Sequence, residues 1–367
     1  MYCDYFGECG SCKLYDLDYE RQVLEKKEYI KELFFEFGIE NFEFFTSRDA
    51  HYRGRAEFRV WHDGDKIDYA MHKLEGKGVL KIQNCPKVDE SIYRLMPKLK
   101  EFIEDNSELR NRLYSIEFLS SRESVLVTLI YHRHIDEKWE EEARRLESKF
   151  GIFVIGRARK IKRVLNQDFI FETLHVDDEK YRYKIIEGGF SQPNRLVNEK
   201  MISWVCSHVH DPKDLLELYC GHGNFTIPLS KAFRKVLATE ISKTSIKSAR
   251  YSCGLNSVNN IEFLRMSVEE LTSAMKKERE FNRLKDIDLE GYNFSHVFTD
   301  PPRSGIDAKS LEFISKFENI IYISCNPKTL KRDLSILSRD FEIVDFAVFD
   351  QFPYTNHIES GIILRKN

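Results

Sequence analysis

The second half of the chain alternates strand-like apolar runs with helical stretches, and this alternation limits the possible folds more than any other feature. Seven such runs follow residue 185: DLLELYC, KVLATEI, NIEFLRM, HVFTDPP, NIIYISC, FEIVDFAVF and GIILRK. Regular alternation of strands and helices is typical of a mostly parallel, doubly wound α/β sheet. The loop before the last run leaves no room for a crossover helix. We therefore predict that the last two strands pair antiparallel at the sheet edge.

The first half has a different pattern. A charged amphipathic helix is predicted over residues 13–38, ended by Gly38. From about residue 50 to 180, runs such as RAEFRVWH and ESVLVTLIYH alternate apolar and polar residues, which predicts antiparallel strands with one buried face. A charged helix at about 136–150 interrupts them. We predict three units, a cysteine-bearing segment with the amphipathic helix, a mainly antiparallel α+β domain and a doubly wound α/β domain, at residues 1–48, 49–184 and 185–367.

Composition excludes several classes of protein. The chain is 42% hydrophobic, but no stretch approaches the roughly 18 unbroken apolar residues of a membrane span. Its N-terminus is acidic and carries cysteines, unlike a signal peptide, so a cytoplasmic location is predicted. The net charge of -3 argues against bulk, non-specific binding of nucleic acid, although a local basic face remains possible.

One local basic face lies in HYRGRAEFRVWH, residues 51–62, where Arg53, Arg55 and Arg59 alternate with aromatic residues such as Phe58. Arginines bind phosphates and aromatic rings stack on bases, so this pattern is typical of an RNA-binding surface. A solvated strand face with arginines lying along it would give the same pattern. Residue types alone do not choose between these two interpretations.

A glycine-rich turn between a strand and a helix predicts a cofactor site in LLELYCGHGNFTIPLS, residues 215–230. Gly221 and Gly223 let the backbone approach a ligand closely, but the third glycine of the dinucleotide fingerprint is missing. Glu240 ends the next strand, where an acid accepts hydrogen bonds from ribose hydroxyls. These features favour a nucleoside cofactor without a diphosphate, and S-adenosylmethionine fits best. A plain tight turn is the alternative.

The next strand ends in FTDPPRSG, residues 298–305, where two prolines make the turn rigid. Asp300 can then project a carboxylate into the crevice at the sheet edge. Similar Asp-Pro-Pro loops in methyltransferases that act on exocyclic amines continue with an aromatic residue. Arg303 replaces it here, which argues against amine chemistry and supplies a cation for a phosphate or a carbonyl oxygen.

Cys325 lies where a strand passes into a loop in YISCNPKTL, and ligands bind at such strand ends in open α/β sheets. A thiolate that adds to carbon 6 of a pyrimidine makes carbon 5 nucleophilic, and a base must later remove the carbon 5 proton. FDQFPYTNHIESG, residues 349–361, offers Glu359 and His357 as that base. Taken singly, Cys325 could be a structural thiol and Glu359 a solvated carboxylate.

Four segments together resemble the RNA 5-methyluridine methyltransferase family: YCGHGNF, FTDPPRSG, YISCNPKTL and FPYTNHIESG. The resemblance covers nearly the whole chain. Within that family AEFRVWHDG, EFNRLKDIDL and FDQFPYT are similar to the tRNA (uracil-5-)-methyltransferases. The resemblance implies a Rossmann-like, S-adenosylmethionine-dependent methyltransferase domain preceded by an RNA-binding domain. It also implies methylation of the T-arm uridine at position 54 of tRNA. We expect tmRNA as a further substrate if recognition is by loop shape.

The resemblance also implies roles for individual residues. It makes Cys325 the nucleophile and Glu359, rather than His357, the proton acceptor. It assigns contacts with S-adenosylmethionine or substrate to residues near the glycine-rich turn, including Gly221 itself: Gln192, Tyr219, Gly221, Asn224, Glu240 and Asp300. The target base must swing out of its stack, which costs a few kcal/mol. Asp300 and Arg303 are predicted to hold it, and RNA contacts are predicted at Arg53, Arg55, Phe58 and Arg59, with Tyr114 as a further candidate.

One feature departs from the best-known tRNA enzymes of this kind, which lack N-terminal cysteines. Here four cysteines match the spacing that holds a [4Fe-4S] cluster in ribosomal-RNA relatives: Cys3, Cys9, Cys12 and Cys85. Four thiolates suit such a cluster, but zinc or unbound reduced thiols are alternatives. The departure keeps methylation of ribosomal RNA as a second hypothesis. A tRNA-folding chaperone is a third, and no obligate protein partner is predicted.

Overall fold

The computed structural model describes residues 1–367 and contains ten α-helices and seventeen strands. The helices are α1 Tyr19–Phe34, α2 Glu90–Asp105, α3 Ser107–Arg110, α4 Glu137–Phe150, α5 Arg195–Ser207, α6 Thr226–Leu229, α7 Lys243–Leu255, α8 Val268–Met275, α9 Ala308–Ile314 and α10 Pro327–Leu337. The strands are β1 Glu43–Phe45, β2 Arg55–Asp63, β3 Lys66–His72, β4 Val79–Ile82, β5 Leu113–Ser120, β6 Val125–Tyr131, β7 Phe153–Ala158, β8 Ile161–Val164, β9 Phe169–Val176, β10 Glu179–Ile186, β11 Asp214–Leu218, β12 Lys235–Thr239, β13 Ile261–Leu264, β14 Phe294–Thr299, β15 Asn319–Ser324, β16 Phe341–Phe349 and β17 Glu359–Lys366.

Eight strands form the large sheet, in the order β1-β16-β17-β15-β14-β11-β12-β13. All seven predicted runs are strands of this sheet, and every pairing is parallel except those of β17. The predicted α/β fold class is therefore confirmed. The antiparallel pairing of the last two strands is also confirmed, but its predicted place at the edge is wrong. β17 lies between β15 and β16, and β1 pairs parallel with β16 and forms the edge.

The large sheet is covered on both faces, which explains its nearly continuous apolar strands. Successive residues of β11, Leu215 and Leu216, are fully buried in different cores because side chains alternate across a strand. One core is completed by α5, α7 and the β9–β10 hairpin, and the other by α1, α8, α9 and α10. In α1, Ile30 and Phe34 are fully buried, so the N-terminal helix is part of a core of the large sheet.

Seven strands form the small sheet, in the order β4-β3-β2-β5-β6-β7-β8. The predicted antiparallel pattern holds for every pair but one. β6 and β7 are parallel, because α4 connects them as a crossover helix. α4 begins after Asp136, whose carboxylate accepts backbone hydrogen bonds, and ends at Gly151 in a left-handed conformation, close to the predicted range. The helix α2, which packs against the apolar face of this sheet, was not predicted.

The β9–β10 hairpin belongs to neither sheet. Its apolar side chains, including Ile170 and Tyr183, are buried among residues of α5 and α7 in a core of the large sheet. The predicted division into three units stays a prediction. No helix of the chain combines the length and the apolar composition that crossing a membrane requires.

Candidate active site

The topology of the large sheet brings the candidate thiol and carboxylates to one edge. β14 and β15 are parallel neighbours that end at Thr299 and Ser324, so Asp300 and Cys325 both follow at the same edge. β17 runs the opposite way and begins at that edge with Glu359. Ser324 is paired with Ser360, so Cys325 and Glu359 come from adjacent strands at neighbouring positions. The sequence prediction of a shared sheet edge is confirmed.

Burial sets the protonation states of these three groups. Burial raises the pKa of the Cys325 thiol to about 12, aided by the nearby carboxyls of Glu359 and Asp300 and opposed by Arg303. Glu359 is only 5% exposed, and burial followed by the charge of Asp300 raises its pKa well above the usual carboxyl range. Burial raises the pKa of Asp300 to about 7. In this arrangement the thiol is protonated near neutral pH and must lose its proton to react.

Arg303 and His357 form the outer wall of the site. The Arg303 guanidinium donates a hydrogen bond to Nδ1 of His357 at 2.8 Å, and Asn326 donates one to the Arg303 carbonyl at 3.2 Å. Burial and then the charge of Arg303 lower the pKa of His357. Because Nδ1 accepts this bond, His357 is a neutral imidazole that orients the guanidinium, whereas Glu359 lies buried beside the thiol.

The glycine-rich turn and Glu240 come together as the sequence predicts. Tyr219, Gly221 and Gly223 all have positive φ angles, of 60°, 56° and 88°. The carboxylate of Glu240 accepts hydrogen bonds from the backbone N–H of Gly221 at 3.1 Å and of Ser242 at 2.7 Å. Glu240 therefore fixes the turn from the next strand and leaves a backbone cradle at the end of β11.

Gln192 and Asn224, assigned by resemblance alone, also lie at this edge. Gln192 Nε2 donates to Asp300 Oδ2 at 3.3 Å, and Gln351 Nε2 donates to Gln192 Oε1 at 3.1 Å. Asn224 and Asn198 exchange two hydrogen bonds of 2.8 Å. Sequence reasoning did not single out Gln351 or Asn198. The only signal for Gln351 is its position at the end of a buried strand.

Glu217 is a further buried carboxyl that sequence reasoning missed. It is 1% exposed in the middle of the site-forming strand β11, and its Oε2 has no hydrogen-bond partner. Burial raises the pKa of Glu217 to about 8. The sequence signal was an acid inside the apolar run DLLELYC.

Two of the predicted RNA-contacting arginines have aromatic partners. The Arg53 guanidinium lies 5.8 Å from the ring centroid of Phe352, on the loop that leads to Glu359. Arg59 lies 4.3 Å from the ring centroid of Tyr114, which stacks on His132 at 4.0 Å. These cation–aromatic contacts are of the kind that bind single-stranded nucleic acid.

One other predicted RNA contact is corrected by the structure. Phe58 is 3% exposed and its ring packs against Tyr69 and Phe118 in the core of the small sheet, so it has no free face for a base.

Arg55 lies on the opposite face of β2, with Arg59, because side chains alternate along a strand. Arg55 forms an ion pair with Glu117 and donates to the Gly189 carbonyl. Its contact with RNA stays a prediction.

The four N-terminal cysteine candidates converge although Cys85 is distant in sequence. The segment docks on the β3–β4 region through hydrogen bonds from Gly10 N to the His72 carbonyl at 2.9 Å and from Leu74 N to the Glu8 carbonyl at 2.7 Å. None of the four forms a disulfide. Burial raises the pKa of Cys12 to about 11, and a charge on Cys85 adds to the rise. Burial, with a smaller contribution from a charge on Cys85, also raises the pKa of Cys3 and of Cys9.

The cysteine-bearing segment also holds the loop that leads to Glu359. The backbone N–H groups of Lys13 and Leu14 donate to the Tyr354 carbonyl at 2.9 and 3.2 Å, and the Tyr354 N–H donates to Gln22 Oε1 at 2.7 Å. Tyr354 has a positive φ of 64°. These bonds fix an otherwise unfavourable backbone conformation in the loop between β16 and β17.

Comparison with known proteins agrees with this geometry. A family model described as tRNA (uracil-5-)-methyltransferase matches residues 18–367. The tRNA/tmRNA (uracil-C(5))-methyltransferase of Sulfurovum sp. is 49% identical over 370 residues, with 100% of both chains covered. That of Neisseria meningitidis serogroup C is 47% identical over 357 residues, covering 95% of this chain and 97% of the relative.

A solved structure has the same fold. It is described as the Pyrococcus abyssi tRNA (uracil-54, C5)-methyltransferase in complex with S-adenosyl-L-homocysteine. The TM-score is 0.75 at 22% identity, with 96% of this chain and 85% of that chain covered. The match of the family model to residues 18–367 and the full-length identity to its relatives show the family: the chain belongs to the tRNA (uracil-5-)-methyltransferase family.

Proposed function

We propose that the protein transfers a methyl group from S-adenosylmethionine to carbon 5 of a uridine in the T-arm of tRNA and in tmRNA. The observation that carries the proposal is the convergence of Cys325 and buried Glu359 on adjacent strand ends, next to a backbone cradle. The relatives are described as tRNA/tmRNA enzymes, which favours these substrates over ribosomal RNA. The Pyrococcus abyssi enzyme acts on uracil 54, and we propose the same position here.

Cys325 starts the reaction by adding its sulfur to carbon 6 of the uracil while its proton passes to the neighbouring Asp300 carboxylate, which leaves Glu359 to act later as the base. The electron pair of the C5=C6 bond moves to carbon 5 and the adjacent carbonyl oxygen, which Arg303 is positioned to stabilise. Carbon 5 then attacks the methyl carbon of S-adenosylmethionine, the bond between that carbon and the sulfonium sulfur breaks, and S-adenosylhomocysteine leaves with the electron pair. The ionised form of Glu359 removes the remaining carbon 5 proton, the C5=C6 bond re-forms and the Cys325 sulfur leaves as a thiolate, which regains a proton. Such covalent catalysis divides one difficult substitution into easier steps.

Two sets of residues would hold the nucleoside donor. Tyr219, Gly221 and Asn224 supply the cradle at the end of β11, and Glu240 is in place for ribose hydroxyls once its backbone bonds are shared.

Gln192 and Asp300 complete the proposed donor site from the opposite side, where they are hydrogen-bonded to each other. Asp300 adds a second carboxyl to the edge that faces the donor. We propose that it and Arg303 also hold the flipped uracil, while Arg53, Arg59 and Tyr114 bind the surrounding RNA.

We propose a [4Fe-4S] cluster at the cysteine site. The site offers four thiolates, the ligand set of such a cluster, and the charge of Cys85 contributes to the raised pKa of the other three. Zinc accepts the same four thiolates and is the alternative. The role of the cluster would be structural, because it would hold in place the N-terminal segment whose backbone is hydrogen-bonded to the loop before Glu359. Brown colour and absorbance near 400 nm after anaerobic purification would support this proposal, and a colourless protein with bound zinc would contradict it.

The decisive test measures methyl transfer from labelled donor into unmodified tRNA, tmRNA and large-subunit ribosomal RNA transcripts. We expect incorporation into the first two and none when the T-arm target uridine is replaced by cytidine. Cys325→Ala should abolish incorporation while RNA binding remains, and Cys206→Ala serves as a control at a cysteine away from the site. Incorporation only into ribosomal RNA would contradict the proposal that tRNA and tmRNA are the substrates. RNA folding without any methyl transfer would favour a chaperone.

A further inference from the structure

An open cavity of about 550 Å³ lies against the outer side of Cys325. One wall is formed by Arg303 and His357, and a second by the start of α10. The third wall is α1, an element of the cysteine-bearing segment that has no part in the proposed reaction. Three separate parts of the chain therefore enclose a space that continues outward from the thiol.

The α1 wall presents a ring to this space. Tyr29 is 37% exposed and lines the cavity, with Leu14 beside it as a second apolar surface. Ile30 and Phe34 of α1 are buried in the core, whereas the Tyr29 ring lies open to the cavity and is available to stack on a planar group. Phe35, in the turn that follows α1, is 71% exposed but does not line the cavity.

Charges in the cavity are arranged asymmetrically. Lys328, in the first turn of α10, lines one side, and its helix has its N-terminal backbone groups at the same place. Arg303 stands across the thiol on the other wall. Glu25 on α1 is the only acid that lines the cavity. Lys26 also lines it, but its charge is neutralised by a buried ion pair with Asp350 at 2.7 Å. A ligand with an anionic and a planar end would therefore place its anion near α10 and its planar end near α1.

We propose that this cavity binds the RNA nucleotide adjoining the target uridine, with its base on Tyr29 and its phosphate at Lys328. The inference rests on the proposed function. A flipped base leaves its neighbour without one stacking partner, and a ring on the protein offsets that loss. Continuity of the cavity with Cys325 places a flanking nucleotide, rather than a distant one, on α1.

The test measures the dissociation constant of a T-arm hairpin by fluorescence anisotropy, alongside methyl transfer. Tyr29→Ala is expected to weaken binding about tenfold, the range found for loss of one stacked base. Tyr29→Phe should restore binding, and Phe35→Ala is the matched control that should leave it unchanged. Lys328→Gln should weaken binding and lower the slope of log affinity against log salt by about 1. None of these variants should change donor affinity.

Hairpins with an abasic site on either side of the target identify the contact. For one flanking position, Tyr29→Ala and the abasic replacement should be non-additive, because each removes the same stacking contact. The inference is overturned if Tyr29→Ala behaves like Phe35→Ala, or if its effect is additive with both abasic replacements. Circular dichroism and melting curves confirm folding of each variant. Because binding is measured separately, absence of methyl transfer by the wild type would refute the proposed function without deciding this inference.

Discussion

Replacing Glu217 with Gln should remove a pH-dependent loss of stability. Glu217 is 1% exposed, and burial raises its pKa to about 8 from an ordinary value of 4.5. A carboxyl whose pKa is higher in the folded state stabilises the protein below its unfolded-state pKa, and this stability is lost as pH rises through the folded-state pKa. Stability should therefore decline between about pH 4.5 and pH 8 because of this group.

The magnitude follows from the two pKa values. At about 1.4 kcal/mol per pKa unit, the complete loss well above pH 8 is about 5 kcal/mol. Between pH 5 and pH 8 the loss from this single group is about 3 kcal/mol. The isosteric amide in Glu217→Gln does not titrate, so the variant should gain that amount relative to the wild type over the same interval.

Urea unfolding at pH 5, 6, 7 and 8 provides the measurement, with both proteins compared at each pH so that all other titrating groups cancel. Glu262→Gln is the control, because that acid lies exposed on β13 of the same sheet. Wild-type and Glu217→Gln curves that stay parallel within about 0.5 kcal/mol across this range would refute the reasoning. A gain that appears only below pH 5 would have the wrong sign and would refute it equally.

Three other changes test the site and its support. Glu359→Gln should accumulate an RNA adduct on Cys325 that survives denaturing electrophoresis, because addition and methylation proceed but elimination stalls; no adduct band would assign the base elsewhere. Gly361→Ala should lower the free energy of unfolding by about 1–3 kcal/mol, because a Cβ at this position would lie 2.5 Å from the buried Trp204 indole on α5. Gly254→Ala is its control, because a Cβ there meets nothing within 4 Å and should not lower the free energy of unfolding. Cys85→Ser should speed hydrogen exchange in residues 350–358 by at least tenfold if the cysteine site supports that loop, and unchanged protection would contradict that role.

Much of the candidate site could be predicted from the sequence because it lies at strand ends. The end of an apolar run is visible in residue order, and parallel neighbours end at one edge, so Cys325 and Asp300 could be expected together. The start of the last run offered Glu359 and His357 together as the base, and only the family resemblance chose Glu359. The glycine-rich turn and Glu240 were found in the same way, because the spacing along a βα unit is local.

The errors arose where a contact joins distant segments or where residues on opposite faces of one strand were grouped together. Phe58 shares a face of β2 with Ala56, opposite Arg59, and its ring packs in the core of the small sheet, so the prediction that it contacts RNA beside the arginines was wrong. β1 completes the edge of the large sheet although about 300 residues separate it from β16. No local pattern records such a pairing, because it depends on how the chain closes in space.

The sequence by itself determined the order of strands and helices, the chemistry of the thiol, and the presence of four spaced cysteines. Local periodicity and residue type carry that information, since they act over a few residues along the chain. Only the tertiary structure decided that the cysteine-bearing segment holds the loop before Glu359, that Glu217 is buried without a partner, and that α1 forms a wall beside Cys325. These properties arise from burial and from hydrogen bonds between residues far apart in sequence, which exist only once the chain is folded.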